Sequence, residues 1–297
     1  MFDFPIHSPV QQITYNIPKG IELYIKRDDL IDPLISGNKW RKLKHTFIRA
    51  NREQKTKIVS FGGAYSNHLL ALASASAKFG LESVAFVRGD EVQKESQMLI
   101  IARLLGMHII RVSREEYKDK PLLFQKHFGA DSSAFFVDEG GMSEEGSLGC
   151  EDIINELEEE YTDVFLAAGT GCTTAGVLNA IHKKQLSTYV HSVVVHKGTE
   201  EVKTNITQYS TPDTRFTILD TQLRYGQHNP ELLQFCINFQ RNTGIMLDPV
   251  YTGKAMMKCY EWMQTDARQN AKILFIHTGG LLGNLGKLEA YLPYLSS

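Results

Sequence analysis

The sequence predicts an α/β protein of two domains, built on open, mostly parallel sheets with helices on both faces. Three observations carry that expectation. The 297-residue chain exceeds a comfortable single core. From Lys57 onward, short β-branched and aromatic runs alternate with longer stretches of helical period, as stacked βαβ units do. No internal repeat, low-complexity tract or long linker separates the units, so they should pack closely and share a cleft.

Taken in order, the first informative stretch is Ser36-Gly-Asn-Lys-Trp-Arg-Lys42, where a glycine turn gives way to a helix-like run. Strands are expected at 57–61, 83–87, 108–112 and 134–137, then at 164–168, 190–195, 216–219 and 273–277. Helical patterns occupy 67–79, 95–105, 152–160, 174–184, 230–241 and 253–267. The acidic, glycine-rich run Asp138-Glu-Gly-Gly-Met-Ser-Glu-Glu-Gly-Ser-Leu-Gly149 breaks the periodic pattern and marks a domain junction. The charge run 156–160 reads as a solvated helix face.

Bulk properties narrow the partners. A formal charge of −2 and a pI near 6.6 leave no sequence-wide positive field for nucleic acid or an anionic membrane, so a small molecule is the expected partner. Cys150, Cys172, Cys236 and Cys259 are widely spaced, with no C-x-x-C pair and no zinc-finger spacing, and read as free thiols in a reducing compartment with no metal. No apolar stretch approaches the roughly 20 residues of a membrane span, and the N-terminal residues lack a basic flank, so a cytoplasmic location is expected.

Four short segments carry chemistry. Lys39 offers an amine beside Arg41, Lys42 and Lys44, and neighbouring cations lower the pKa of a lysine that must act as a nucleophile. On a helix Lys42 lies on the same face as Lys39, able to reach a phosphate held there; the bland reading is a basic, solvent-facing helix start. Gly62-Gly-Ala-Tyr-Ser-Asn-His68 follows an apolar strand and precedes an alanine-rich helix, a geometry that binds a carboxylate, with N-capping by Ser66 or Asn67 as the alternative. Gly169-Thr-Gly-Cys-Thr-Thr-Ala-Gly176 repeats the strand-to-helix turn but lacks the lysine of a nucleotide-triphosphate loop and the third glycine of a dinucleotide fingerprint, so a lone phosphate monoester fits best. A last strand runs into Thr278-Gly-Gly-Leu-Leu-Gly283. Ligands collect at the carboxyl ends of parallel strands, so these turns can converge. An amine and a phosphate cradle together point to pyridoxal 5'-phosphate.

The order of these pieces resembles the fold-type II pyridoxal-phosphate enzymes, the tryptophan synthase β-like family, over most of the chain. Gly37-Asn-Lys-Trp-Arg-Lys-Leu43, Gly63-Ala-Tyr-Ser-Asn-His68 and Leu247-Asp-Pro-Val-Tyr-Thr-Gly-Lys254 are similar to the branch holding D-cysteine desulfhydrase and 1-aminocyclopropane-1-carboxylate (ACC) deaminase. The resemblance implies a larger cofactor-binding domain from 1–43 and 151–297, a smaller one from 44–150, a site in the cleft between them, and a homodimer. It makes Lys39 the residue that carries the cofactor and sets Asn67 beside the cofactor's phenolic oxygen. The turn formed by Gly169, Thr170, Gly171, Cys172 and Thr173, aided by Lys42, grips the phosphate, and Thr278 faces the pyridine nitrogen. Ser66 holds the substrate carboxylate; Tyr251 and Tyr225 overhang the reacting carbons. Trp40, Tyr65 and Cys172 depart from the branch pattern, and Trp40 and Tyr65 are expected to adjoin the cofactor and bear on the substrate.

Within that pattern the ACC enzymes carry glutamate immediately after the tyrosine of Asp-Pro-Val-Tyr, where this chain has Thr252. A hydroxyl does not keep the pyridine nitrogen protonated as a carboxylate would, so the electron sink is weak and β-elimination of hydrosulfide from a D-cysteine-like substrate is favoured over opening a cyclopropane. In that scheme Lys39 or a nearby hydroxyl takes the α-proton. Two other classes remain on the sequence alone. Ser36-x-x-Lys39, Tyr65-x-Asn67 and His277-Thr-Gly279 imitate the motifs of penicillin-recognising acyltransferases, at a spacing too short for their intervening helical domain. A non-catalytic pyridoxal-phosphate-binding protein would keep the lysine and phosphate turn but need neither Tyr251 nor Ser66.

Overall fold

Ten strands are seen in a computed structural model that describes residues 4–89, 95–212 and 215–295. They are β1 (Val10–Ile13), β2 (Glu22–Lys26), β3 (Lys57–Gly62), β4 (Glu82–Arg88), β5 (His108–Val112), β6 (Ala134–Phe136), β7 (Asp163–Ala168), β8 (Tyr189–Val194), β9 (Phe216–Asp220) and β10 (Lys272–Ile276). One sheet runs β1-β2-β10-β7-β8-β9, parallel except for the antiparallel edge pair β1 and β2. The second runs β5-β4-β3-β6 and is parallel throughout. This is the α/β class that the alternating pattern predicts.

The helices are α1 (Asn38–Arg52), α2 (Asn67–Lys78), α3 (Gln97–Leu104), α4 (Lys120–Phe128), α5 (Glu144–Cys150), α6 (Asp152–Asn155), α7 (Cys172–Lys183), α8 (Thr199–Tyr209), α9 (Pro230–Thr243), α10 (Thr252–Thr265) and α11 (Leu288–Tyr291). Their ends follow from side-chain chemistry. Ser66, Ser96 and Asn229 each accept a backbone N–H at the start of α2, α3 and α9, and Gly244 ends α9 at φ 71. Among the described residues no helix is long and apolar enough to cross a membrane.

Both faces of each sheet are covered, which is why the strands read as apolar runs rather than alternating ones. Along β10, Ile273 and Phe275 enter one core with Phe165, Phe239 and Met256, while Leu274 and Ile276 enter another with Leu166, Val177 and Val190. The smaller sheet splits likewise, Ile58 and Ala85 facing one core, Val59, Phe61 and Phe86 the other. All four cysteines are buried free thiols.

The structure departs from the sequence expectations in several places. Strand β1 and helices α4 and α8 carry weak patterns: β1 buries only Ile13, α4 only Leu123, and α8 only Val202 and Ile206; β2, also unexpected, buries Leu23, Ile25 and Lys26. The run 138–149 is not a bare loop, because it contains α5, packed under α1 and α7. Its glycines serve close approach: a Cβ on Gly149 would overlap the Arg41 carbonyl, and one on Gly146 the Gly141 carbonyl. The helix expected over 152–160 stops at Asn155; 156 and 158–160 are exposed as expected, but Glu156 also turns its carboxylate onto a buried network. Its carboxylate accepts from Arg41 at 2.8 and 2.9 Å and from Lys26 at 2.7 Å, while Asp28 holds the other edge of Arg41 at 2.6 and 2.7 Å. This network fixes α1, and therefore Lys39, against β2.

Candidate active site

Asn38, the first residue of α1, joins three of the turns singled out in the sequence. Its backbone N–H donates to the Thr278 carbonyl at 3.3 Å. Its side-chain amide donates to Thr173 Oγ1 at 2.8 Å, and its side-chain carbonyl accepts from Lys39 Nζ at 2.9 Å. The approach demands glycine. Gly37 has φ 66, and a Cβ there would overlap the Thr278 carbonyl; one on Gly279 would strike the Ser36 hydroxyl. On the other side, Gly280 lies against the Asn67 amide, which a Cβ would approach to 2.8 Å. Lys39, Asn67, Thr173 and Thr278 are thus brought to one place from α1, α2, α7 and the end of β10.

Burial, reinforced by the Lys42 cation, lowers the Lys39 amine from 10.5 to about 7. Much of it is therefore neutral near physiological pH, the form a nucleophile or base requires. His68 behaves similarly: burial first, then Lys39 and Lys42, push it down to about 3, so it is neutral. Ser60 donates to the Val137 carbonyl at 2.8 Å, leaving its oxygen to accept from His68 Nε2 at 2.8 Å and His68 Nδ1 buried without a partner.

The turn before α7 offers several donors without internal partners. The first ladder bond of the helix runs from Ala175 N to Gly171 O at 3.0 Å, so no helical carbonyl serves the amides that precede it. Gly171 supplies the left-handed conformation at φ 92, where a Cβ would also press on the Val202 carbonyl. The Thr170 hydroxyl is buried without a partner. The carbonyls are turned away by groups the sequence did not advertise: His196 Nε2 holds the Gly169 carbonyl at 2.9 Å and Asn205 the Thr170 carbonyl at 3.0 Å. Gly198 N–H donates to His196 Nδ1 at 2.9 Å, which makes Nε2 the protonated nitrogen. Lys42 reaches across to the Gly140 carbonyl at 3.0 Å, beside Thr170. Cys172 contributes backbone alone; its sulfur points to the carbonyls of Gly141 and Ser143.

Tyr251 overlies this turn, its ring 3.3 Å from where a Gly169 Cβ would stand. Asp248, 1% exposed, sets it there. The carboxylate accepts from the backbone of Val250, Tyr251 and Thr252 at 2.9, 2.8 and 3.0 Å and from the Thr252 hydroxyl at 2.9 Å. The Tyr251 hydroxyl donates to Tyr225 at 3.1 Å, and burial raises the Tyr251 pKa well above 10.0. Ser66 caps α2 by accepting from Leu69 N at 3.3 Å, which uses a lone pair and leaves its proton free to donate.

Two expectations about the pocket need correction or refinement. Trp40 does not adjoin the cluster; fully buried, it stacks on Phe79 at 5.6 Å and meets Phe4 at 4.5 Å in the core behind α1. Tyr65 is 51% exposed and its ring lies 2.6 Å from where a Gly286 Cβ would stand, so it packs on the segment after Thr278. A surface cavity of about 320 Å³ lined by Tyr161, Lys184 and Leu186 shares none of these residues and holds neither a buried amine nor an anion turn.

A model of the pyridoxal-phosphate dependent enzymes matches residues 8–279. The chain belongs to that family. A putative ACC deaminase of Thermotoga maritima is 31% identical over 93% of this chain and 94% of its own length. The bifunctional D-cysteine desulfhydrase/ACC deaminase of Arabidopsis thaliana is 28% identical over 95% and 79%, and the D-cysteine desulfhydrase of Yersinia enterocolitica 28% identical over 88% and 87%. A crystal structure of an ACC deaminase homologue superposes with a TM-score of 0.86 at 26% identity, over 98% of this chain and 94% of that one. The O-acetylserine dependent cystathionine beta-synthase of Helicobacter pylori, at 17% identity and TM-score 0.68, shares the fold.

The pyridoxal-phosphate enzyme's own residues fit the cofactor. A phosphate needs donors without internal partners, and the amides before Ala175 and the orphaned Thr170 hydroxyl are such donors. An aldehyde needs an amine that is neutral near pH 7, and Lys39 is one. The serine acyltransferase reading is thereby excluded by family membership.

Proposed function

We propose that this pyridoxal-phosphate enzyme is a D-cysteine desulfhydrase-like lyase, converting D-cysteine and water to pyruvate, ammonia and hydrogen sulfide. The observation that carries the reading is the meeting at Asn38, which ties the Lys39 amine to the phosphate turn through Thr173 while Tyr251 stands over the same turn. Bound there, the cofactor would supply the electron sink that stabilises negative charge at the substrate α-carbon.

The chain's residues take the remaining parts. Lys39 carries the cofactor and, when released, its amine removes the α-proton. Lys42 and the turn from Gly169 through Thr173 hold the phosphate, Asn67 flanks the cofactor ring and Thr278 faces its nitrogen. Ser66 donates its free proton to the substrate carboxylate, aided by unpaired amides at the start of α2. Tyr251 retains its proton because of its raised pKa and gives it to sulfur leaving the β-carbon by turning it from Tyr225, whose hydroxyl then donates to Tyr251 in its place.

Elimination is preferred over ring opening because the residue after Tyr251 is Thr252, whose hydroxyl is buried on Asp248. No carboxylate from that position can reinforce the sink. ACC deamination to 2-oxobutanoate and ammonia is the second reading, favoured by the putative ACC deaminase of Thermotoga maritima. The same proposal includes the two-domain division with 44–150 as the smaller part, a homodimer, and a cytoplasmic location. The deciding assay offers D-cysteine, L-cysteine and ACC in parallel to the cofactor-loaded protein. Sulfide with pyruvate from D-cysteine is expected; 2-oxobutanoate from ACC without sulfide from D-cysteine would reverse the choice.

A further inference from the structure

Tyr225 sits on the connection 221–229, with 48% of its surface exposed, yet its hydroxyl must meet Tyr251. Exposed connections of this kind are mobile unless tied down. The carbonyls of both residues that flank Tyr225 are tied by amines. Lys254 Nζ donates to the Arg224 carbonyl at 3.1 Å and to the Val195 carbonyl at 3.0 Å; Lys287 Nζ donates to the Gly226 carbonyl at 2.9 Å.

The placement of Lys254 is unusual for a lysine. It is 2% exposed in the first turn of α10, the helix whose start presents Tyr251. Burial draws its pKa from 10.5 down to about 8, opposed by Asp248 and reinforced by Lys287. An apolar side chain would fill the same volume without that desolvation cost. What methylene and methyl groups cannot do is grip the Arg224 peptide from the helix that carries Tyr251, and at the same time hold Val195, the neighbour of His196.

We infer that Lys254, assisted by Lys287, is a positioning residue that fixes the Tyr225 hydroxyl on Tyr251. The inference rests on the role proposed above for the two tyrosines. It acts through geometry: one helix delivers Tyr251 directly and Tyr225 by way of the Lys254 amine, so the hydroxyl pair keeps its spacing when the 221–229 connection moves.

The test is a double-mutant cycle of Tyr225→Phe and Lys254→Met in the cofactor-loaded enzyme, on whichever amino acid it turns over, with hydrogen exchange of the cofactor-free proteins alongside. Each single substitution is expected to lower kcat about tenfold with KM nearly unchanged, and the double variant to fall no further than about tenfold. Amides in 221–229 should exchange about tenfold faster in Lys254→Met. A kcat loss from Lys254→Met that persists in full on the Tyr225→Phe background, or unchanged exchange in 221–229, would overturn the inference while leaving the tyrosine roles standing. Full activity of Tyr225→Phe would sink the tyrosine role itself, and the inference with it. Should Lys254→Met not fold, Lys287→Met frees the Gly226 carbonyl and enters the same cycle with the same expected outcomes.

Discussion

A desolvated amine destabilises the protein that holds it, and replacing Lys39 by methionine should make the cofactor-free protein more stable. The lysine is half-buried and drawn from 10.5 to about 7. At about 1.4 kcal/mol per pH unit this corresponds to a ceiling of about 4 kcal/mol at pH 7. Incomplete burial and the Asn38 acceptor at 2.9 Å reduce it, and about 2 kcal/mol is the expected gain. For a chain of this length that is a rise of about 3 °C in Tm. The sign of the pH dependence follows. Between the two pKa values the unfolded chain binds more protons at Lys39 than the folded one, so wild-type stability rises with pH and the advantage of Lys39→Met shrinks. Urea denaturation of both cofactor-free proteins, at equal protomer concentration, should show the gap halving between about pH 7 and about pH 9. A methionine variant no more stable than wild type, or a gap that ignores pH, would refute a desolvated Lys39.

Other substitutions probe the surroundings of the site. Gly37→Ala places a methyl group on the Thr278 carbonyl at positive φ, so it should lower cofactor affinity at least about tenfold, measured by absorbance titration, and cost about 2 kcal/mol of stability. His196→Ala releases the Gly169 carbonyl and should raise the cofactor Kd about tenfold while leaving the melting temperature of the cofactor-free protein within about 3 °C of wild type. Glu156→Gln should destabilise by about 1 kcal/mol near neutral pH, less than the full shift of its carboxyl implies because solvent screens this exposed residue. The Arg41 and Lys26 partners hold the Glu156 carboxyl down at about 2 against 4.5 unfolded, so its contribution is present above 4.5 and lost as pH falls towards 2; acid titration of the variant should therefore converge with wild type in that window.

What could be read from the sequence, and what could not, divides along physical lines. Strands β3, β4, β7, β8 and β10 are buried on two faces and announce themselves as apolar runs, whereas β1, with three exposed residues in four, does not. The turns bearing Lys39, Asn67 and Thr170 were legible because glycine beside polar residues marks a helix start, as it does at α1, α2 and α7. Gly146 and Gly149 carried the same letters for a different reason, helix approach, and read wrongly as an interruption. Trp40 adjoins Lys39 in the chain, but successive helical residues face different directions, so it lies in the core. Asp248 was quoted in its motif without a role, though its placement just before a helix is a capping signal. His196, Asn205 and Lys254 act on backbone carbonyls distant in sequence, and such contacts leave no local pattern.

The most direct test of the account loads the protein with pyridoxal phosphate, reduces it with borohydride and maps the modified peptide by mass spectrometry. A yellow protein before reduction and the pyridoxyl group on Lys39 are expected. Label on Lys42 or Lys254 instead, or a protein that stays colourless and unlabelled, would contradict it.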